Sequence, residues 1–182
     1  GQNNLRYDVT VILPGLLGKE FVKTFGHYHP GLFPEVYEVL NGEAICMLQE
    51  LDPQDPQVIL DCILVRAKAR EKIVLLPGYG HLLVNVSKDE PLVTANWIST
   101  RFSSEYTGYR QAGGAAFFVL AKDGSFELAP NKYFRKIQQK KEVFPAKKIE
   151  RVGIDVEVPL YELIRNPKYL DFLNYPQWHS FE

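Results

Sequence analysis

Gly26-His27-Tyr28-His29-Pro30-Gly31-Leu32-Phe33-Pro34-Glu35-Val36-Tyr37-Glu38-Val39-Leu40-Asn41-Gly42 is the stretch on which the fold is decided. In an extended strand alternate side chains share a face, so His27 and His29 point one way and Tyr28 the other. Five residues separate His29 from Glu35, among them Pro30, Gly31 and Pro34. Such a loop can reverse the chain and bring a carboxylate beside two imidazoles. Residues 35–40 read as the next strand. Asn41-Gly42 is a strong two-residue hairpin signal, and residues 43–51 read as the strand that returns from it.

Working outward, the same texture recurs. Residues 7–13 form a strand-like run that stops at Pro14-Gly15, and residues 20–28 lead into the two histidines. Downstream, residues 58–67, 72–76, 81–86 and 92–99 are short apolar runs bounded by turn residues, with no helical periodicity. About eight short strands with such frequent turns predict an all-β fold, either a barrel or a jelly-roll sandwich. Residues 103–111 are polar with two aromatics, residues 115–121 are a further strand, and residues 131–149 are lysine-rich surface. From Pro159 the period changes. Leu160, Leu163 and Ile164 fall at helical spacing, Pro167 ends that run, and Tyr169, Leu170, Phe172 and Leu173 suggest a second short helix. The expected division is a barrel over residues 1–124 and an extension over 125–182, carrying short helices that pack on the barrel or on a partner subunit.

Composition narrows the function. The 182 residues carry 46% apolar and 24% charged side chains, enough for a sizeable core. A net charge of −1 with both signs interspersed argues against nucleic acid, whose phosphates require clustered Lys and Arg. No run is long enough for a membrane span and no signal peptide opens the chain, so the expected location is cytoplasmic. Strand-like sequence begins abruptly after Gly1, as in a chain with a segment missing upstream. Cys46 and Cys62 sit inside apolar runs and read as buried thiols.

The third histidine of interest comes in Pro77-Gly78-Tyr79-Gly80-His81, with Asn85 four residues beyond. Of the four histidines only His179 lies outside the pattern. His27, His29, Glu35 and His81 make a ligand set suited to one divalent transition metal per chain, with room for water or substrate. Fe2+ is the first expectation, and Mn2+, Ni2+ or Zn2+ are the alternatives.

The ordered pattern Gly26-His27-x-His29…Glu35…Gly42, then Pro77…His81…Asn85, resembles the two motifs of the cupin superfamily. Within it the chain is most similar to the cupin-type phosphoglucose isomerases. The matching stretches include residues 10–15, 18–21, 24–29, 35–42, 47–49 and 76–85, and the likeness covers residues 7–124. The resemblance implies a cupin double-stranded β-helix, a metal inside the barrel on the four ligands, and a homodimer. It implies interconversion of glucose 6-phosphate and fructose 6-phosphate through a cis-enediol, a hydride shift being the competing route. It assigns Glu35 and His27 as catalytic, Glu35 being both ligand and base, and Thr10, Thr24, Gly26, Tyr37 and Tyr106 as lining the sugar-phosphate pocket. Tyr37, two residues after Glu35, shares its face in a strand. One feature departs from the family, which carries His-x-Tyr after the last barrel strand where this chain has Ser104-Glu105-Tyr106. Arg101 is the candidate to replace the missing positive charge. Two alternative functions are a metal-dependent dioxygenase and a non-catalytic sugar-phosphate-binding cupin.

Overall fold

The computed structural model describes residues 2–145 and 154–178. Nine strands come first: β1 (Leu5–Ile12), β2 (Leu16–Leu17), β3 (Glu20–Phe21), β4 (Glu35–Asn41), β5 (Glu43–Asp52), β6 (Asp55–Lys68), β7 (Lys72–Leu75), β8 (Gly80–Asn85) and β9 (Leu92–Ser99). Helix α1 (Thr107–Ala112) is followed by β10 (Phe117–Lys122), β11 (Ser125–Pro130), β12 (Lys136–Ile137) and β13 (Lys140–Val143). Among the described residues the tail holds three 3-10 segments, Leu160–Arg165, Pro167–Leu170 and Pro176–Trp178, and a single turn of helix, α2 (Asp171–Asn174).

Two sheets face each other. One has the order β1-β9-β4-β7, and the other runs β12-β6-β5-β8 with β13 also on β6. Between them lie Tyr37 and Val39 of β4, Ile73 and Leu75 of β7, Ala44, Cys46 and Leu48 of β5, Val65 of β6 and Leu83 of β8. A smaller sheet, β11-β10-β3-β2, packs with α1 on the back of the second sheet against Ile45, Met47, Leu64, Leu82 and Val84. Strand β5 is therefore buried on both faces, which is why its sequence is a continuous apolar run rather than an alternating one. The arrangement is the all-β jelly-roll barrel of a cupin, with short helical elements at the C-terminal end.

Three local expectations are corrected. Asn41-Gly42 is not a hairpin turn, because β4 pairs with β7 and β9 while β5 pairs with β6 and β8. It is the corner at which the chain crosses from one sheet to the other. Gly42 has φ +81°, and a Cβ there would lie 3.1 Å from the Pro91 carbonyl oxygen. Residues 20–28 do not form one strand. After β3 the segment follows β8 through isolated bridges, Lys23 with Val84 and His27 with His81, interrupted where Gly26 takes φ +88°. Nor do the sheets stop at residue 124. Asp123 and Gly124, both at positive φ, turn β10 back as β11, and β12 and β13 extend the second sheet alongside β6.

The tail covers the outer face of the first sheet. Leu160, Leu163, Leu170, Phe172 and Leu173 bury against Leu5, Val36 and Trp97. Polar contacts fix the register. Leu160 N–H donates to Glu38 Oε2 (2.6 Å), Trp97 Nε1 donates to the Leu160 carbonyl (2.9 Å), and Lys72 Nζ donates to the Val156 carbonyl (2.8 Å). The helical spacing seen in sequence appears as 3-10 turns, which Pro159 and Pro167 keep short. Cys46 and Cys62 are buried free thiols. Among the described residues no helix is long and apolar enough to cross a membrane. His179 lies outside the described residues.

Candidate metal centre

His27 and His81 form a backbone-paired couple, His27 N–H to His81 O at 3.1 Å and His81 N–H to His27 O at 3.0 Å. Directly paired strand residues project to one face, so both rings enter the space between the sheets, with centroids 4.4 Å apart. His29 follows at the next same-face position. Tyr28 points the opposite way, where its hydroxyl accepts a hydrogen bond from Gln49 Nε2 (2.6 Å). The facing sheet contributes Glu35 at the start of β4. One side of the barrel thus supplies three imidazoles and the other a carboxylate.

Ligand atoms of His27, His29, Glu35 and His81 all lie within 4.8 Å of one another. Glu35 Oε2 is 3.3 Å from His29 Nε2 and 3.4 Å from His81 Nε2, and it has no hydrogen-bond partner although buried. The Nε2 atoms of His27 and His29 approach to 3.0 Å. His29 Nδ1 faces the Phe33 carbonyl at 2.9 Å, and a carbonyl only accepts, so Nδ1 carries the proton and the neutral ring keeps its lone pair on Nε2. Four potential ligand atoms thus face one small space. A buried carboxylate oxygen without a donor is costly, and a divalent cation among these atoms would satisfy it.

Electrostatics run the same way. Burial, followed by the neighbouring His29, lowers the His27 pKa to about 4. Burial and the other two imidazoles lower His81 well below its ordinary value. Neutral imidazoles are the state a metal requires. Desolvation raises the Glu35 pKa, and the neighbouring His29 and Tyr37 side chains partly offset it. Tyr37 is raised well above its ordinary value, first by burial and then by the Glu35 charge, so its phenol stays protonated.

The cluster opens on a cavity of about 390 Å3, within the range of small-molecule sites. Thr10, Thr24, Gly26, Tyr37 and Tyr106 all line it together with His27, Glu35 and His81. Thr24 Oγ1 accepts from Leu83 N–H (3.0 Å), which leaves its own proton to donate. Gly26 is required by packing as well as by conformation: a Cβ there would lie 2.5 Å from the Tyr109 ring. Two sequence candidates lie elsewhere. Arg101 is not among the cavity-lining residues; its Nη1 donates to the Asn174 carbonyl (3.0 Å) and its guanidinium lies over Tyr175. Asn85 ties a turn together, donating to the Ile12 and Glu90 carbonyls.

Three residues of the site escaped the sequence reading. Asn96, buried in β9, donates from Nδ2 to Glu35 Oε1 at 2.6 Å. Arg6 and Asp8, paired at 2.8 Å, line the cavity from β1. An asparagine inside the apolar run 92–99 was the available signal for the first; nothing local marks the other two.

The family model for glucose-6-phosphate isomerase (GPI) matches residues 1–135. The chain belongs to this family. Relatives within it include the glucose-6-phosphate isomerase of Pyrococcus furiosus, 27% identical over 136 residues, which are 74% of this chain and 67% of the relative. That of Pyrococcus abyssi is 26% identical over 137 residues, 71% of this chain and 65% of the relative. The chain thus spans about two thirds of the length of these relatives. Among solved structures, an oxalate oxidase aligns over 57% of this chain and 46% of its own, at 20% identity and a TM-score of 0.43. The family match covers β1 to β12's approach, and so includes the four clustered side chains and the cavity.

Proposed function

We propose that the chain is a metal-dependent aldose–ketose isomerase that interconverts glucose 6-phosphate and fructose 6-phosphate. The observation that carries this reading is the buried Glu35 Oε2, without a donor and facing three imidazoles at the floor of a cavity of small-molecule size. Membership of the isomerase family supports the choice of substrate. One divalent transition metal per chain, Fe2+ before Mn2+, Ni2+ or Zn2+, would be held by His27, His29, Glu35 and His81. When bound it supplies an electrophile for the C1 and C2 oxygens, where charge develops during isomerisation.

The chain's own residues have separable tasks. Asn96 fixes one oxygen of Glu35 and leaves the other facing the imidazoles. Glu35 takes a proton from C2 of the aldose and returns it at C1 while the hydroxyl proton passes from O2 to O1, with His27 beside it at the cavity. In the metal-free protein burial favours the protonated form of Glu35. Tyr37, protonated and buried, donates to an oxygen of the sugar. Thr10, Thr24, Gly26 and Tyr106 hold the remainder of the sugar phosphate. The exposed rings of Phe25 and Tyr106 meet edge to face at 6.0 Å on one side of the cavity. A cytoplasmic homodimer working in glycolysis and gluconeogenesis completes the proposal.

The test is to chelate the protein, reload it with each of iron, manganese, nickel, cobalt and zinc, and follow glucose 6-phosphate formed from fructose 6-phosphate. Metal-dependent turnover is expected. Saturable binding without turnover would replace the proposal with a sugar-phosphate-binding role, and O2 consumption would replace it with a dioxygenase. Unimpaired isomerisation by a metal-replete Glu35→Gln variant would remove Glu35 as the base.

A further inference from the structure

We propose that Arg6 is the anion anchor of the cavity: its guanidinium binds the phosphate monoester of the substrate and sets the preference for phosphorylated over neutral sugars. The identity of the sugar rests on the isomerase reading; the placement of the charge rests on the geometry alone. In the first sheet Arg6 of β1 lies opposite Ile98 of β9, and Ile98 lies opposite Glu35 of β4. The next row on the same face is Asp8, Asn96 and Tyr37. Residues of one cross-strand row share a face, and all six line the cavity. With strands spaced about 4.8 Å apart, Arg6 and Glu35 are separated by roughly 10 Å at the backbone. In an extended sugar, six bonds of about 1.5 Å separate C2 from phosphorus and span roughly 7–8 Å. A hexose with its C1–C2 end at Glu35 therefore brings its phosphate within reach of the Arg6 side chain.

Charge leaves little choice. Among the residues lining the cavity Arg6 is the only lysine or arginine, whereas Asp8 and Glu35 are carboxylates. Arg101 is committed to the tail. A phosphate dianion entering this cavity meets the Asp8 carboxylate, and among the described residues lining the cavity Arg6 is the one permanently cationic side chain. Asp8 Oδ2 accepts from Arg6 Nε at 2.8 Å. Among the described residues Nη1 and Nη2 make no hydrogen bond, so both remain to donate to phosphate oxygens. The Arg6 side chain is 61% exposed, so the ion pair with Asp8 is a solvated one that orients the guanidinium without occupying it.

The experiment compares wild type, Arg6→Gln and Arg6→Lys as metal-loaded full chains. It reads kcat and KM for fructose 6-phosphate, together with the dissociation constant of inorganic phosphate by calorimetry. Arg6→Gln is expected to raise KM and the phosphate constant about ten- to hundredfold with kcat changed less than about threefold, since a charge-assisted hydrogen bond is lost. Arg6→Lys should recover part of both. A KM and a phosphate affinity in Arg6→Gln within twofold of wild type would overturn the proposal while leaving the isomerase reading intact. If wild type does not turn over fructose 6-phosphate, the isomerase reading fails by itself. Phosphate binding then still decides: its loss in Arg6→Gln upholds the anchor, and its retention overturns it.

Discussion

Replacing Asn96 by Leu removes the only hydrogen bond that Glu35 Oε1 makes among the described residues while keeping a γ-branched side chain. The bond is short, 2.6 Å, and both residues are buried, Asn96 at 3% and Glu35 at 1% exposure. A hydrogen bond to a charged group contributes about 1.5–3 kcal/mol, and an outer-shell partner of a metal ligand typically changes metal affinity about 10- to 100-fold. Without the donor, burial raises the Glu35 pKa further, so a metal must displace a proton that is held more firmly. The expected result is a 10- to 100-fold weaker affinity at pH 7, with a larger deficit at pH 6 than at pH 8. Competition of Zn2+ or Mn2+ between the chain and a chromophoric chelator measures this, and the circular dichroism spectrum reports whether the barrel is retained. A folded Asn96→Leu chain with unchanged affinity at both pH values would refute the positioning role.

Other consequences follow from single contacts. A Cβ added at Gly80 would lie 2.3 Å from the Tyr28 ring, which Gln49 holds in place; Gly80→Ala should cost about 1–3 kcal/mol in urea unfolding. Glu38→Ala should cost about 3–5 kcal/mol, because it leaves the buried Lys72 ammonium, 3.4 Å from Glu38 Oε1, without its counter-charge. It should also expose the tail to limited proteolysis, and the double variant Glu38→Leu/Lys72→Met should recover most of the loss. For pH, the folded-state pKa of His27, about 4, lies below the ordinary 6.5 of the unfolded chain. Between these values the unfolded state binds the extra proton, so the metal-free wild type should lose stability relative to His27→Asn as pH falls from about 6.5 to about 4. Above pH 6.5 the difference should be constant, as melting temperatures of the chelated proteins will show.

The clustering of His27, His29 and Glu35 was legible because their spacing is local. Two histidines at i and i+2 share a strand face whatever sheet they join, and Tyr37 follows Glu35 by the same rule. Pairing between strands is not local. Asn41-Gly42 has the composition of a hairpin turn, yet the chain leaves one sheet for the other there, because the partners of β4 and β5 lie dozens of residues away. The same limit hid Arg6, Asp8 and Asn96. Their place at the site depends on β1, β9 and β4 lying side by side in one register, and a shift of one residue would turn all three outward. Arg101 misled for the complementary reason: its partners belong to the tail at residues 174 and 175, which sequence spacing does not connect to it. The tail's apolar positions were visible, but not the Glu38 carboxylate and Trp97 indole that receive it.

The central claim is that three imidazoles and one carboxylate from opposite walls of the barrel bind one cation. X-ray absorption at the zinc edge of the chelated and stoichiometrically reloaded chain tests it most directly. The expected spectrum shows nitrogen and oxygen neighbours at about 2.0–2.2 Å, with multiple scattering from three imidazole rings and no sulfur. A spectrum with a sulfur neighbour, or with fewer than three imidazoles, would contradict the account.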